Sequence, residues 1–155
     1  MVRDVVLREV AAEDLPIFFA HQQDPDAVRM AAFPSRDRAA FDAHWARVLA
    51  DETAIARTIV AAGEVAGYIG SYGPAGAREV GYWIGREFWG RGVATAALTA
   101  FLRDVPSRPL YAHVAKSNGG SLRVLERCGF VVVGEDRAPA ATGGEVVDEF
   151  ILRHE

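Results

Sequence analysis

Cysteine and long apolar segments are scarce in this 155-residue sequence, and each shortage excludes a class of protein. The single cysteine, Cys128, rules out an internal disulfide, which fits a reducing compartment and predicts a cytoplasmic location. The longest uncharged stretch, residues 65–77, is interrupted by glycines and by Pro74, and the first residues contain no apolar signal segment. We therefore expect neither a membrane span nor any other membrane association.

Positive charge is limited as well. The chain has 17 Lys and Arg against 21 Asp and Glu, a formal net charge of −4, which argues against a non-specific nucleic-acid-binding surface. Apolar residues, in contrast, make up 50% of the chain, enough at this length to build one hydrophobic core. The composition predicts a single folded domain, residues 1–155, without a nucleic-acid partner.

Hydrophobic periodicity and turn residues divide the chain into alternating strands and helices. Runs rich in β-branched residues predict strands at residues 5–10, 55–62, 65–72, 79–85, 110–114, 130–134 and 146–152. Helices are predicted to begin near residue 12 and after Ser35 as an N-cap, to span 90–105 and 117–128, and to include a short piece over 26–30. Strand–helix–strand units imply parallel pairing, and the closely spaced strands between residues 55 and 85 imply an antiparallel meander. The prediction is a mixed α/β (α+β) sheet flanked by helices.

A glycine-rich turn separates the predicted strand 79–85 from the helix that follows it. Gly90 and Gly92 would let an anion approach the unpaired N–H groups at the start of that helix, a geometry that suits a pyrophosphate. The turn is not a P-loop, because no Gly-Lys-Ser/Thr sequence follows. It also fits the dinucleotide fingerprint poorly, because Thr95 replaces the third small residue and strand 110–114 contains no acid. A tight turn with no ligand is the alternative interpretation.

A second segment decides between these interpretations. Residues 118–130 begin with Asn118 at a helix start and end in Gly-Phe. Together with Trp89-x-x-Gly92-x-Ala94, the pattern Asn118-x-x-Ser121-x-Arg-Val-Leu-Glu-Arg-x-Gly-Phe resembles the GNAT superfamily of acyl-CoA-dependent N-acetyltransferases. The sequence of residues 88–95 is similar to that of the GNAT branch that includes ribosomal-protein N-terminal acetyltransferases. The resemblance implies one domain with a mostly antiparallel sheet that is splayed at its central strands.

The same resemblance implies a binding site for acetyl-CoA. Backbone N–H groups of the glycine-rich turn would hold the pyrophosphate, and the backbone of Ile84 would bind the pantetheine or the acetyl carbonyl. Asn118 and Ser121 would reach the coenzyme from the following helix, although Asn118 would also serve as a simple helix cap. The turn residues concerned are Arg91, Gly92, Val93, Ala94 and Thr95.

Candidates for proton transfer are fewer. The tyrosine that many GNAT enzymes use as general acid corresponds to Leu125, which has no proton to donate, so Ser121 one turn earlier is the nearest donor. Glu79 is the candidate general base, with His113 on the next strand as a substitute. The alternative for Ser121 is a helix-surface hydroxyl that is already hydrogen-bonded, and the alternative for Glu79 is a solvated acid at a strand start. The remaining histidines lack metal-ligand spacing, so no metal is expected.

The sequence therefore predicts an N-acetyltransferase that moves an acetyl group from acetyl-CoA directly to a primary amine within a ternary complex. The acceptor, a protein N-terminus or a small-molecule amine, is not identified by the sequence. A monomer and a homodimer are both compatible with it. Two alternatives stay open: a non-catalytic acyl-CoA-binding module, suggested by Leu125, and a nucleotide-binding domain.

Overall fold

The computed structural model describes residues 4–31, 36–139 and 146–155, and a seven-stranded sheet forms its centre. In chain order the strands are β1 (Val5–Glu9), β2 (Ile55–Ala61), β3 (Glu64–Tyr72), β4 (Arg78–Ile84), β5 (Leu110–Ala115), β6 (Val131–Pro139) and β7 (Val146–His154). Their order across the sheet is β1-β2-β3-β4-β5-β7-β6. All neighbours are antiparallel except β4 and β5, which are parallel. The predicted mixed, mostly antiparallel sheet is confirmed.

Five α-helices accompany the sheet in the described part of the chain: α1 (Leu15–Gln22), α2 (Pro25–Ala31), α3 (Arg38–Ala50), α4 (Val93–Asp104) and α5 (Gly119–Arg127). The N-cap of α3 is Asp37, whose carboxylate accepts a hydrogen bond from the Ala40 N–H at 2.8 Å. The predicted cap, Ser35, lies outside the described residues. Among the described residues, no helix is long and apolar enough to cross a membrane.

Helix α4 begins three residues later than predicted. Gly90 and Gly92 have φ values of +72° and +78°, which lie in the left-handed region and cannot belong to a right-handed helix. Both glycines therefore remain in the turn, and Gly92 is the N-cap. A short 3-10 turn, Arg86–Phe88, fills the space between β4 and this turn.

The two faces of the sheet carry separate hydrophobic clusters. The larger one packs α4 and α5 against the sheet and includes Ile59, Ile69, Leu98, Phe101, Leu110 and Leu152, all fully buried. The smaller one packs α1 and α3 against the opposite face through Phe18, Phe41 and Trp45. Leu49 of α3 is 51% exposed, because eight positions at about 100° each rotate it well away from the buried Phe41.

A buried carboxylate joins the segment before α1 to the sheet. Asp14, 2% exposed, accepts two hydrogen bonds from the Arg8 guanidinium at 2.7 and 2.8 Å and one from the Thr58 hydroxyl at 2.7 Å. The backbone N–H of Ala11 donates a fourth bond at 2.8 Å. These donors, with Arg8 contributing most, lower the pKa of Asp14 to about 2. The carboxylate is thus held in its charged form by β1, β2 and the intervening turn.

The sheet is splayed between β4 and β5. Only Arg78 and Glu79 pair with this neighbour, opposite Leu110 and Tyr111, and the two strands then diverge. The N–H of Gly85 donates to Ala66 of β3 at 2.8 Å. Since backbone groups of alternate residues point in opposite directions along a strand, those of Ile84 and Tyr82 point into the gap. This confirms the predicted splay and leaves hydrogen-bonding groups of β4 directed at an open cleft.

Candidate active site

A groove of about 500 Å³ occupies the cleft at the carboxyl end of β4. The end of β4, the glycine turn, the first turn of α4 and one face of α5 form its walls. Seven of the eight predicted coenzyme-binding residues line it: Ile84, Gly92, Val93, Ala94, Thr95, Asn118 and Ser121. Arg91 is the exception, because it lies exposed on the turn and does not line the groove. The structure brings the predicted set together, and their roles stay predictions.

The amino terminus of α4 opens into this groove without a side-chain cap. Its N-cap is Gly92, which offers no side chain to the first N–H groups of the helix. A Cβ atom added at Gly90 or Gly92 would meet nothing within 4 Å, so the space beside these two glycines is empty of described protein atoms. Helix α5 differs, because the Asn118 carboxamide oxygen accepts from the Ser121 N–H at 3.2 Å. The α4 terminus therefore offers N–H donors and a positive dipole end to an anion.

Two arginines on α5 add positive charge to the same groove. Arg123 and Arg127 both line it and are one helical turn apart. Within the described ranges neither forms an ion pair with an acidic side chain. Neither residue was predicted to have a role, although their spacing of four residues would have placed both on one helix face. In a chain of net charge −4, this grouping favours an anionic ligand.

Trp89 holds the glycine turn against the end of β4. Its indole N–H donates to the Ile84 carbonyl oxygen at 2.9 Å. This side chain stands where the GNAT pattern usually has Arg or Gln, and here it satisfies the carbonyl that the splay leaves without a strand partner. The Ile84 N–H, on the same side of the strand, has the direction needed to bind a carbonyl oxygen in the groove.

A pair of hydroxyl groups crosses the groove. The Tyr82 hydroxyl of β4 lies 2.7 Å from the Ser121 hydroxyl of α5, and both side chains line the groove. Burial raises the pKa of Tyr82 to about 12, so the phenol is neutral near pH 7. Leu125, at the position of the tyrosine that many GNAT enzymes use as general acid, is 2% exposed and belongs to the core. Tyr82 was not among the predicted site residues, since a strand alternation pattern does not reveal which helix residue faces it.

Glu79 lies outside the groove, where β4 and β5 still pair. Its carboxylate is 3.4 Å from His113 Nε2, and the other ring nitrogen, Nδ1, is 3.6 Å from the Glu149 carboxylate. Burial, and then the charges of Glu79 and Glu149, raise the pKa of the neighbouring Tyr72. The two candidate bases, Glu79 and His113, are therefore in contact, and a solvated strand-start acid stays the alternative interpretation of Glu79.

One further acid approaches this histidine. His113, Glu149 and Asp136 place one ligand atom each within 4.8 Å of one another. His113 and Asp136 are exposed, and exposed acidic groups are common without a metal. The expectation that no metal is needed stays a prediction.

A second hollow, of about 390 Å³, lies between α1 and the turn after β4. Its charged groups already have partners: Arg86 lies 2.7 Å from Asp26, and His21 lies 3.7 Å from Glu87. None of the predicted site residues lines this hollow. The groove is the better candidate site, because it contains seven of the predicted coenzyme-binding residues and because its arginines, Arg123 and Arg127, form no ion pair with acidic side chains of the described residues.

Comparison with known proteins identifies the family. Residues 4–131 match the acetyltransferase (GNAT) domain. Spermidine N-acetyltransferase from Vibrio cholerae, solved with CoA and spermine, is similar with a TM-score of 0.81 and 18% identity, over 96% of this chain and 94% of that one. A GNAT-family acetyltransferase from Bacillus anthracis gives a TM-score of 0.80 and 16% identity, over 99% and 95%. A protein provisionally assigned as a phosphinothricin N-acetyltransferase gives 0.78 and 25%, over 98% of both chains.

The low identities to the first two structures establish a shared fold alone. No protein of curated function matches the sequence. The resemblance to the ribosomal-protein branch is not confirmed by these comparisons. The domain match, however, spans most of the chain and includes the glycine turn and the helix that follows it. This chain belongs to the GNAT acetyltransferase family and is an acyltransferase enzyme.

Proposed function

We propose that this single-domain enzyme transfers an acetyl group from acetyl-CoA to a primary amine, with both substrates bound at the same time. The observation that carries the proposal is the uncapped amino terminus of α4, open above Gly92 and facing the groove between β4 and β5. GNAT acetyltransferases use acetyl-CoA or CoA, and a pyrophosphate fits a helix end of this kind.

The groove offers partners for the pyrophosphate and for the pantetheine arm of the coenzyme. The N–H groups of Val93, Ala94 and Thr95, which line the groove, would bind the pyrophosphate. Arg123 and Arg127 supply positive charge to its phosphates. The amide-containing pantetheine arm would lie in the splay, where the backbone groups of Tyr82 and Ile84 lack strand partners. In this arrangement the coenzyme takes the place of the missing ladder between β4 and β5.

The chemistry requires a neutral amine, since a primary amine is mostly protonated near pH 7 and its charged form does not attack a carbonyl. Glu79, in contact with His113, is the proposed acceptor of that proton, directly or through water. The Ile84 N–H would stabilise the negative charge that develops on the acetyl oxygen. Ser121 would donate a hydrogen bond to the departing sulfur.

The acceptor class remains broad in this proposal. One structural relative was solved with spermine, and another is provisionally assigned to phosphinothricin, so small amines are reasonable first acceptors to test. A protein N-terminus is the other candidate. A non-catalytic acyl-CoA-binding module is the competing function, and it predicts binding without turnover.

Thermal unfolding with and without acetyl-CoA tests the binding site. A ligand that binds only the folded state at 100 times its Kd stabilises by about 2.7 kcal/mol, and a pantetheine fragment without pyrophosphate should stabilise far less. Gly92→Val should weaken acetyl-CoA binding at least tenfold, because a branched side chain would fill the space above the α4 N–H groups.

Gly76→Val is the matched control. Gly76 also has a positive φ, +84°, and a Cβ atom added there would meet nothing within 4 Å, but it lies in the turn between β3 and β4. Both variants should lose similar folding stability, and only Gly92→Val should lose acetyl-CoA affinity. Equal affinity losses, or equal stabilisation by the fragment, would refute the pyrophosphate site. Release of free thiol with a panel of diamines, aminoglycosides and peptides separates the enzyme from the binding module.

A further inference from the structure

We infer that Tyr82 is a positioning residue for thiol departure, because its hydroxyl fixes the Ser121 hydroxyl so that the serine proton points at the coenzyme sulfur. The inference rests on the proposed function and adds a residue to it. It also explains how the enzyme can work with Leu125 at the position where many GNAT enzymes have a tyrosine that acts as general acid.

The two hydroxyl groups meet between β4 and the start of α5, on the wall of the groove. Tyr82 projects from β4 and Ser121 from the first turn of α5, so their 2.7 Å contact spans the cleft that the diverging strands open. Leu125, one turn farther along α5, is buried in the core and does not line the groove. The other hydroxyl on the groove wall, that of Thr95, belongs to the α4 terminus where the pyrophosphate is proposed to bind.

The direction of this hydrogen bond follows from the chemistry of the two groups. A phenol is a stronger acid than an aliphatic alcohol, so Tyr82 is the better donor and Ser121 the better acceptor. Burial raises the pKa of Tyr82 to about 12, so the phenol keeps its proton throughout the working pH range. Ser121, having accepted this bond, has its own proton free to point into the groove. A hydroxyl that accepts one hydrogen bond also donates a stronger one.

The step balances without transfer of the tyrosine proton. When the tetrahedral intermediate collapses, the C–S bond breaks, its electron pair stays on sulfur, and the amide carbonyl forms. The thiolate then accepts a hydrogen bond from Ser121, and water supplies the proton that it finally takes. Tyr82, with a pKa of about 12, is a far weaker acid than a thiol with a pKa of about 8.5, so the phenol remains protonated.

The test compares kcat and KM of Tyr82→Phe, Ser121→Ala and the double variant. Loss of one neutral hydrogen bond should lower kcat about five- to tenfold in each single variant, and Tyr82→Phe should change the KM for acetyl-CoA by less than about twofold. The double variant should be no slower than Ser121→Ala, because Tyr82 acts only through Ser121. Ser121→Thr, which keeps the hydroxyl, should restore most of kcat when Tyr82 is present and not in the Tyr82→Phe background.

Tyr111→Phe, which removes a phenolic hydroxyl outside the groove, is the control and should leave kcat unchanged. Wild-type kcat in Tyr82→Phe, a raised KM with unchanged kcat, or multiplicative losses in the double variant would overturn the inference while the proposed function stands. Thiol release by neither the wild type nor any variant, with any amine, would overturn the proposed function and this inference with it.

Discussion

Protonation of Asp14 should remove a measurable part of the folding stability. The carboxylate is 2% exposed and accepts four hydrogen bonds, so its pKa falls from 3.8 to about 2. At about 1.36 kcal/mol per pK unit this corresponds to about 2.4 kcal/mol. Because the Arg8 side chain is 42% exposed, solvent screening reduces the expected contribution to about 1–2 kcal/mol.

The direction of the pH dependence follows from the lowered pKa. Folding favours the charged carboxylate, so the contribution is complete above the unfolded pKa, near pH 4, and is lost as the pH falls from there through about 2. Asp14→Asn removes the charge at every pH and leaves Arg8 without its partner. We expect this variant to lose about 3 kcal/mol of unfolding free energy at pH 7.

Urea unfolding of both proteins between pH 7 and pH 2 measures this contribution. The difference in unfolding free energy between wild type and Asp14→Asn should narrow by about 1–2 kcal/mol over this range, because only the wild type has this carboxylate to protonate. Asp104→Asn, at an exposed carboxylate at the end of α4, should parallel the wild type throughout. A constant difference between wild type and Asp14→Asn would refute the assignment of the lowered pKa to this hydrogen-bonded cluster.

Two further substitutions test catalysis and packing. Glu79→Gln should lower kcat about 10²–10⁴-fold, with a loss that shrinks as pH rises, and should leave acetyl-CoA affinity unchanged. Steady-state release of thiol measures this loss, and Glu64→Gln, at the start of another strand, is the control. A loss of kcat below tenfold would contradict the role of Glu79 as base. Gly67→Ala should cost roughly 3 kcal/mol in urea unfolding, because a Cβ there would lie 1.9 Å from the Trp83 carbonyl oxygen. Gly81→Ala, at a β4 glycine where an added Cβ atom would meet nothing within 4 Å and φ is not in the left-handed region, should cost far less, and equal losses would show that the β3–β4 contact is not the cause.

Local sequence patterns were sufficient to predict most elements of the fold. Strands β2, β3 and β4 are rich in β-branched and aromatic residues and are followed closely by glycines, so their predicted and observed bounds agree within a residue or two. The predicted start of α4 was three residues too early, because the sequence does not show whether a glycine adopts a helical or a left-handed backbone conformation. The cap of α3 was misplaced because both Ser35 and Asp37 suit an N-cap, and only the fold shows that Asp37 accepts the Ala40 N–H.

The site was predictable where its residues are adjacent in sequence. The glycine turn and the start of α5 carry recognisable spacings, and Gly92, Asn118 and Ser121 do meet at one groove. Tyr82 was not assigned, because its partner Ser121 is 39 residues away and only the packing of α5 against β4 joins them. The contact of Glu79 with His113 likewise depends on the short parallel pairing of β4 with β5, which periodicity does not reveal.

The interrupted seam between β4 and β5 also has a consequence for how the molecule opens. Antiparallel ladders of six residue pairs join β4 to β3 and β5 to β7, whereas two pairs join β4 to β5. Separating the sheet at this seam would break the fewest backbone hydrogen bonds, so we expect the strands on each side to open as two cooperative units. The line along which the structure separates most easily is therefore the line along which the substrate is proposed to bind. A bound coenzyme that contacts both units would couple them, so that the two parts of the sheet would open together.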